Sequence, residues 1–314
     1  MASRDEARCA SAPRAAVAPA SLPPGRDRRV LLGILLMCAA GTLFPVMNGL
    51  VQVLSRTYPS EQIIWARNTG HLLVVLALIV PRYGLSVLRT VRPAAQLARS
   101  ILLLMSTAMF FFGVKHIPLA QAGSISQMAP FFVTLLAWPL LGERIRPSRF
   151  VAVLVGFVGV LIVIRPGTDV FHWASLLIMG SAFCYALYQI FTRRVAGLDR
   201  PETSVMYSAL VGTLVMCAVV PFVWKAPLSL ADAVLHGCLG VLGASGHYCV
   251  ARALTYAQAN VIAPFQYWQI VGSVIVGWFV SGLLPDLGTW IGAGIIVAAG
   301  VYIALTASRA PRRG

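Results

Sequence analysis

The sequence predicts an all-α membrane protein of ten transmembrane helices in two inverted five-helix repeats, and three observations carry that expectation. Charged residues make up 11% of the chain, against about a quarter in soluble domains, and they fall almost wholly between long apolar runs. Arginine and lysine concentrate in alternate connections. The two halves of the chain also resemble one another.

Between consecutive Asp, Glu, Lys or Arg residues, with Arg67 set aside inside the second helix, the principal uncharged runs are 30–55, 68–81, 100–114, 116–142, 150–164, 170–192, 203–224, 233–251, 253–285 and 287–308. A hydrocarbon layer about 30 Å thick needs about 20 helical residues at about 1.5 Å each. Helices are therefore expected over 30–52, 61–80, 98–116, 118–141, 149–165, 172–192, 203–223, 231–254, 259–281 and 288–307. The runs 100–114 and 150–164 are short, which places Arg99, Lys115, Arg149 and Arg165 near the interface with their side chains snorkelling outward. Strands of a transmembrane barrel alternate and last about ten residues, so these runs do not suit that class.

Residues 1–29, rich in Ala, Pro, Ser and Arg, lack apolar periodicity and read as a disordered cytoplasmic tail. In the first helix Gly41, Pro45, Asn48 and Gln52 recur at i, i+4, i+7 and i+11 and share a face. Pro45 frees a backbone carbonyl for a solute or hinge, or kinks the helix against its neighbours. The second helix holds Arg67, Asn68 and His71. Ionisable residues within a membrane are functional candidates by default; Arg67 suits a carboxylate or phosphate, or a tie between helices. The fourth helix offers Gln121, Ser124, Gln127 and Phe131. Gly156 and Gly159 in the fifth, like Gly288 and Gly292 in the tenth, suit packing between halves or homodimer formation.

The sixth helix carries Ser181, Tyr185, Tyr188 and Gln189 on one face. Two tyrosines there suit stacking on a flat metabolite, or plain packing. In the eighth, His236, Gly240, Gly243 and His247 share a face, and its glycines favour close helix packing. The ninth brings Gln266, Gln269 and Ser273 together with Tyr267 at the border. Amides that both donate and accept suit a zwitterionic or amide-bearing solute. The candidate binding set is Asn48, Arg67, His71, Gln127, Tyr185, Gln189, His247, Gln266 and Gln269. No carboxylate falls in mid-span, so coupling is left to histidine, to substrate charge or to exchange; Glu143, beside Arg144, reads as a loop clamp.

Ten spans put both ends on one face, whose connections hold 19 arginines, while the other face holds only Arg56, Lys115, Arg165 and Lys225. The positive-inside rule then sets both termini in the cytoplasm of a cell whose inner, or plasma, membrane houses the chain. The net charge of +15 is an orientation signal and an attraction to anionic lipid, with no call for nucleic acid. Six cysteines without a CxxC pair read as small apolar fillers, so neither a metal nor a cofactor is expected.

At an offset of 137 residues Ala120-Gln121-Ala122 meets Ala257-Gln258-Ala259, and Ile125 meets Ile262. At 141 residues Asn48 meets Gln189, and after a gap Gly159-Val160 meets Gly300-Val301. Five helices per half force the second half upside down, as in many secondary transporters. The repeats would be residues 30–167 and 168–307, followed by a basic tail, 308–314.

The stretch HIPLAQAGSISQMAPFFVTLLAWPLLGERI (116–145), then VLIVIRPG (160–167), resembles the signature of the EamA family within the drug/metabolite transporter superfamily, and residues 251–300 resemble its second copy. One departure is Gly282-Leu283-Leu284-Pro285-Asp286, where such copies commonly carry Gly-Glu; it is expected to alter that loop's closure. The resemblance implies ten helices, inverted halves, alternating access and movement of small organic metabolites. Lipid-modifying enzymes need clustered carboxylates or a nucleophile with its base, and neither is visible, so an enzyme is not expected. Charged pore rings are likewise missing. The expected function is secondary transport, with export of amino-acid-like metabolites first and uptake of a riboflavin- or S-adenosylmethionine-type cofactor second.

Overall fold

The computed structural model describes residues 26–142, 147–168, 171–195, 198–257 and 259–307, and among them there are helices and no strand. Most of the expected tails and Glu143 lie outside these residues. In order come α1 (Arg26–Leu54), α2 (Ser60–Tyr83), α3 (Pro93–Val114), α4 (Leu119–Ser126), α5 (Ala129–Leu141) and α6 (Pro147–Ile164). The second half supplies α7 (Ala174–Val195), α8 (Pro201–Val219), α9 (Leu230–Tyr256), α10 (Ala259–Ile262), α11 (Trp268–Ser281) and α12 (Leu287–Ala307). Helix is the form that satisfies each backbone group inside its own segment, which hydrocarbon demands. Leu73, Leu78, Ile275 and Phe279 are exposed, as lipid-facing side chains should be.

Several boundaries differ from expectation. α1 begins at Arg26, so the last residues of the expected tail are helical. Nine segments among the described residues are long and apolar enough to cross a bilayer. The expected span 259–281 is in pieces: α10, a tight 3-10 turn at Ala263–Tyr267, and α11 of 14 residues. The expected span 118–141 is likewise interrupted between α4 and α5. Both interruptions fall at an Ala-Pro-Phe sequence, 129–131 and 263–265. Proline lacks an N–H, so Pro130 cannot bond the Ser126 carbonyl and Pro264 cannot bond that of Asn260. Just before Pro130, the Gln127 and Met128 N–H groups turn to the carbonyls of Ser124 and Ile125, at 3.2 and 3.0 Å. Both interrupted spans then end on a left-handed glycine, Gly142 and Gly282, each with φ 71°. The helix end is therefore closed alike in the two halves. Asp286, in the departing loop, accepts from the Thr289 N–H and hydroxyl at the start of α12 and pairs with Arg165.

The closest-packed helix pairs are α1 with α9, α3 with α7, and α6 with α12. Matching the halves in order makes α1 equivalent to α7, α3 to α9 and α6 to α12. The first two contacts are then one contact made twice, and α6 meets its own counterpart on the pseudo-axis, as inverted repeats require. Glycines allow the α6–α12 approach and that of α2 to α9. A Cβ on Gly70 of α2 would lie 2.9 Å from the Gly240 Cα of α9, and one on Gly159 of α6 would lie 3.0 Å from the Gly292 carbonyl of α12.

Arg99 does not snorkel. It is 2% exposed and donates to the Ser204 carbonyl at 2.7 Å, the Thr192 hydroxyl at 3.0 Å and the Ser208 hydroxyl at 3.1 Å. Pro93 starts α3 earlier than expected, which sets Arg99 two turns inside the helix, where neutral oxygens replace water. Nearby, burial pushes the Asp199 carboxyl up, but bonds from the Thr90 hydroxyl, Gln96 amide and Val91 N–H outweigh it and hold the pKa below its usual range.

Gly240→Val should press its side chain into the Gly70 backbone and cost about 1–3 kcal/mol, seen as a lower melting temperature of the detergent-purified protein. Gly237→Val, whose Cβ meets no heavy atom within 4 Å, should melt as wild type does. Equal melting of the two variants would contradict the packing described.

Candidate functional site

A cavity of about 440 Å³ lies between the halves. α1 presents Met37, Gly41, Phe44 and Asn48 to it, a stripe at i, i+4, i+7 and i+11. α7 presents Ala182, Tyr185, Gln189 and Arg193 at i, i+3, i+7 and i+11. α3 adds Ser106, Thr107 and Phe110, and α9 adds His247. The interruptions contribute directly. Gln127 sits at the first, Gln266 and Tyr267 at the second, and Gln269 just beyond. The Gln127 amide donates to the Gln266 carbonyl at 3.3 Å, tying the two breaks together. Irregular backbone at membrane depth is tolerated where it lines such a cavity.

Eight of the nine candidate residues therefore line one space: Asn48, Arg67, Gln127, Tyr185, Gln189, His247, Gln266 and Gln269. His71 does not. It lies behind His247, with ring centroids 5.8 Å apart and planes 9° from parallel. Tyr188 points away to stack under Arg99, whose guanidinium carbon is 4.9 Å from the ring centroid. Gln52 bonds the Val114 and Ile117 carbonyls, both at 3.2 Å, and Gln121 bonds the Val163 carbonyl at 3.3 Å. These amides hold helices together. Phe131 fills the space left by Gly156, and His236 donates from Nδ1 to the Asp232 carbonyl, 2.7 Å away, against the edge of Tyr58. Pro45 packs on Gly272 of α11, and the Gly41 carbonyl that it cannot bond faces the same glycine.

Sequence reasoning passed over α3. Ser106 and Ser181 exchange bonds, each hydroxyl donating to the other's carbonyl at 3.0 and 2.7 Å, and so fasten α3 to α7 at the cavity wall. The signal was present as a Ser-Thr pair inside an apolar run. Phe44 and Phe110 carried none, because an aromatic in a membrane helix reads equally as lipid-facing.

The polar lining divides into satisfied and unsatisfied groups. No described protein group bonds the side-chain amides of Asn48, Gln189, Gln266 or Gln269, which leaves them to whatever fills the cavity. Arg67 is 5% exposed, yet its contacts to Asn68 Oδ1 and His247 Nε2 are both 3.4 Å and its Nε has no partner. Because guanidinium cannot accept, His247 Nε2 must be the acceptor, and that ring is neutral with its proton on Nδ1. A buried cation this poorly paired costs several kcal/mol, far above Arg99 with its short bonds.

The cavity extends toward the arginine-rich face. Arg149 and Arg193 line it at the arginine-rich face, near the end of α12 at Ile303 and Ala304. Toward the opposite face the halves are fastened. Tyr58 donates to Asp232 at 2.7 Å and Gln62 exchanges two bonds of 2.9 Å with the Lys225 backbone, while Gln52 braces α1 against the α3–α4 connection within the first half.

A profile described as the EamA-like transporter family matches residues 30–165 and 172–306. The chain is 29% identical over 287 residues to a riboflavin transporter of Rhizobium johnstonii, covering 91% of this chain and 95% of that protein. It is 30% identical over 282 residues to a pseudopaline exporter of Pseudomonas aeruginosa, covering 87% and 96%. An S-adenosylmethionine uptake transporter of Rickettsia prowazekii is 30% identical over 233 residues, covering 73% and 78%. A crystal structure of a protein 20% identical superposes with a TM-score of 0.63 over 91% of this chain and all of the other.

Gln62→Ala removes both bonds to the Lys225 backbone and should weaken the closed face by about 1–3 kcal/mol. A cysteine replacing Phe111 in a cysteine-free background should then react faster with an impermeant thiol reagent added from that face. An unchanged rate would show that the seal lies elsewhere.

Proposed function

Because the chain belongs to the EamA-like transporter family, it is a multi-pass membrane transporter and not an enzyme, and we propose that its cavity carries a flat, hydrogen-bonding organic solute by alternating access. The observation that carries this reading is the group of four amides without a partner among the described residues, Asn48, Gln189, Gln266 and Gln269, set among Phe44, Phe110, Tyr185 and Tyr267. Amides read a heteroaromatic edge that both donates and accepts, and rings cover its faces. A cavity of about 440 Å³ falls in the range of small-molecule sites and leaves a simple amino acid mostly surrounded by water. The vitamin- or nucleoside-like solute expected second thus fits better than the amino-acid-like one expected first. The riboflavin and S-adenosylmethionine transporters among the relatives support the same choice. A solute with amino-acid character keeps one supporting observation, the Arg67 cation, and one supporting relative, the pseudopaline exporter.

In this reading residues 30–167 and 168–307 rock about the α6–α12 contact. The arginine-rich face is cytoplasmic in the plasma membrane, and the conformation described is the inward-facing one. Outward opening breaks the Tyr58 and Gln62 fastenings and makes their equivalents at the other face. No Asp or Glu among the described residues lines the cavity, so the solute's own gradient, exchange, or the histidines drive the cycle.

Asn48→Ala and Gln266→Ala should each lower transport about tenfold, as expected for losing a bond to a buried polar group, with expression and melting unchanged. Counterflow into liposomes holding purified protein, screened with riboflavin, S-adenosylmethionine and amino acids, checks this. Normal kinetics in both variants would refute the assignment of the site.

A further inference from the structure

We propose that Arg67 binds an anionic group of the carried solute, a carboxylate or a phosphate, so that the substrate class is a ring-bearing acid. The inference rests on the preceding reading that a flat organic solute occupies the cavity, and it adds what that reading leaves open.

Two arginines lie deep in this bundle, and they are treated differently. Arg99 is surrounded by short bonds to the Ser204 carbonyl and to the hydroxyls of Ser208 and Thr192. Its charge is spread over protein oxygens and nothing further is required. Arg67 lines the cavity, is 5% exposed, and has two contacts at 3.4 Å with an orphaned Nε. If it served only to tie helices, its donors would be spent on neighbouring carbonyls as those of Arg99 are. The Nε is sealed against the Gly243 backbone, so the donors left for a solute are the two terminal Nη groups, each held by one long contact, and such a pair grips a carboxylate or phosphate end-on with two parallel bonds.

The surroundings favour an anion and little else. No Asp or Glu among the described residues lines the cavity, so the protein supplies no counter-charge. His247, the nearest titratable neighbour, spends its Nε2 lone pair on Arg67 and offers only a weak neutral contact. Met47 and the Gly243 backbone close the far side, where a Cβ on Gly243 would sit 3.7 Å from Arg67 Nε. The cation is thus directed at the same space as the amides of Asn48 and Gln189, which places the acidic group at one end of a solute whose ring spans the rest. Arg149 and Arg193, at the arginine-rich end of the cavity, give its entrance the same sign.

Binding to the purified full-length protein in chloride-free detergent buffer, read by thermal shift, tests the assignment. Riboflavin and adenosine are the neutral parents, their monophosphates the phosphate arm, and S-adenosylhomocysteine the carboxylate arm. At least one charged compound should bind about tenfold or more tightly than its parent; which arm gains identifies the anion. In Arg67→Gln that ratio should fall toward one, and Arg67→Lys should restore part of it. Neutral parents binding as tightly as every charged congener would overturn the proposal, as would an Arg67→Gln variant that weakens both members of a pair equally. The wild-type ratio decides the matter even if the glutamine variant fails to fold. Glutamate and inorganic phosphate separate this proposal from the one it rests on. If they bind in an Arg67-dependent way while no ring compound does, the anion site stands and the flat-solute reading falls. If ring compounds bind with no gain from charge, the outcome is the reverse.

Discussion

Hydrocarbon offers no hydrogen bonds, so every polar group inside this bundle must find its partner within the protein or face water. That constraint explains the helices and explains why departures from helix are informative. The interruptions at Ala129-Pro130-Phe131 and Ala263-Pro264-Phe265 each release a carbonyl and spoil a turn. In lipid such breaks would be too costly. They occur side by side, joined by the Gln127 amide on the Gln266 carbonyl, where both border a cavity.

The same rule separates structural polar residues from candidate functional ones. Gln52, Gln121, Ser106, Ser181 and Arg99 are satisfied by carbonyls and hydroxyls of neighbouring helices. Their work is fastening. Asn48, Gln189, Gln266 and Gln269 keep unspent donors or acceptors toward the cavity, and Arg67 lines it with only long contacts. Residue type does not distinguish the two groups, since glutamine and arginine occur in both. Satisfaction does.

Inversion supplies a two-state geometry. Contacts between α1 and α9 and between α3 and α7 are equivalent across the pseudo-axis, while α6 and α12 meet as counterparts. Two equivalent halves have two equivalent ways to tilt. Fastening at the sparsely charged face, through Tyr58 and Gln62, selects one of them. These bonds are few and lie near the bundle's end, so exchanging them for others is a modest change beside the packed contacts that persist.

Charge-free run lengths and the arginine distribution sufficed to place the spans, because hydrocarbon thickness and burial of charge act on composition directly. Helical spacing sufficed to put Asn48 on one stripe with Gly41, and Tyr185 on one with Gln189, because a helix carries its own periodicity. Which stripes face each other is a property of packing between segments distant in sequence, and only tertiary structure decided it. It sent Tyr188 to Arg99, set His71 behind His247, turned Arg99 inward and brought Ser106 to the cavity wall. It also showed that two spans are interrupted, since a proline marks a lost bond but its neighbours determine whether the helix bends, breaks or mends.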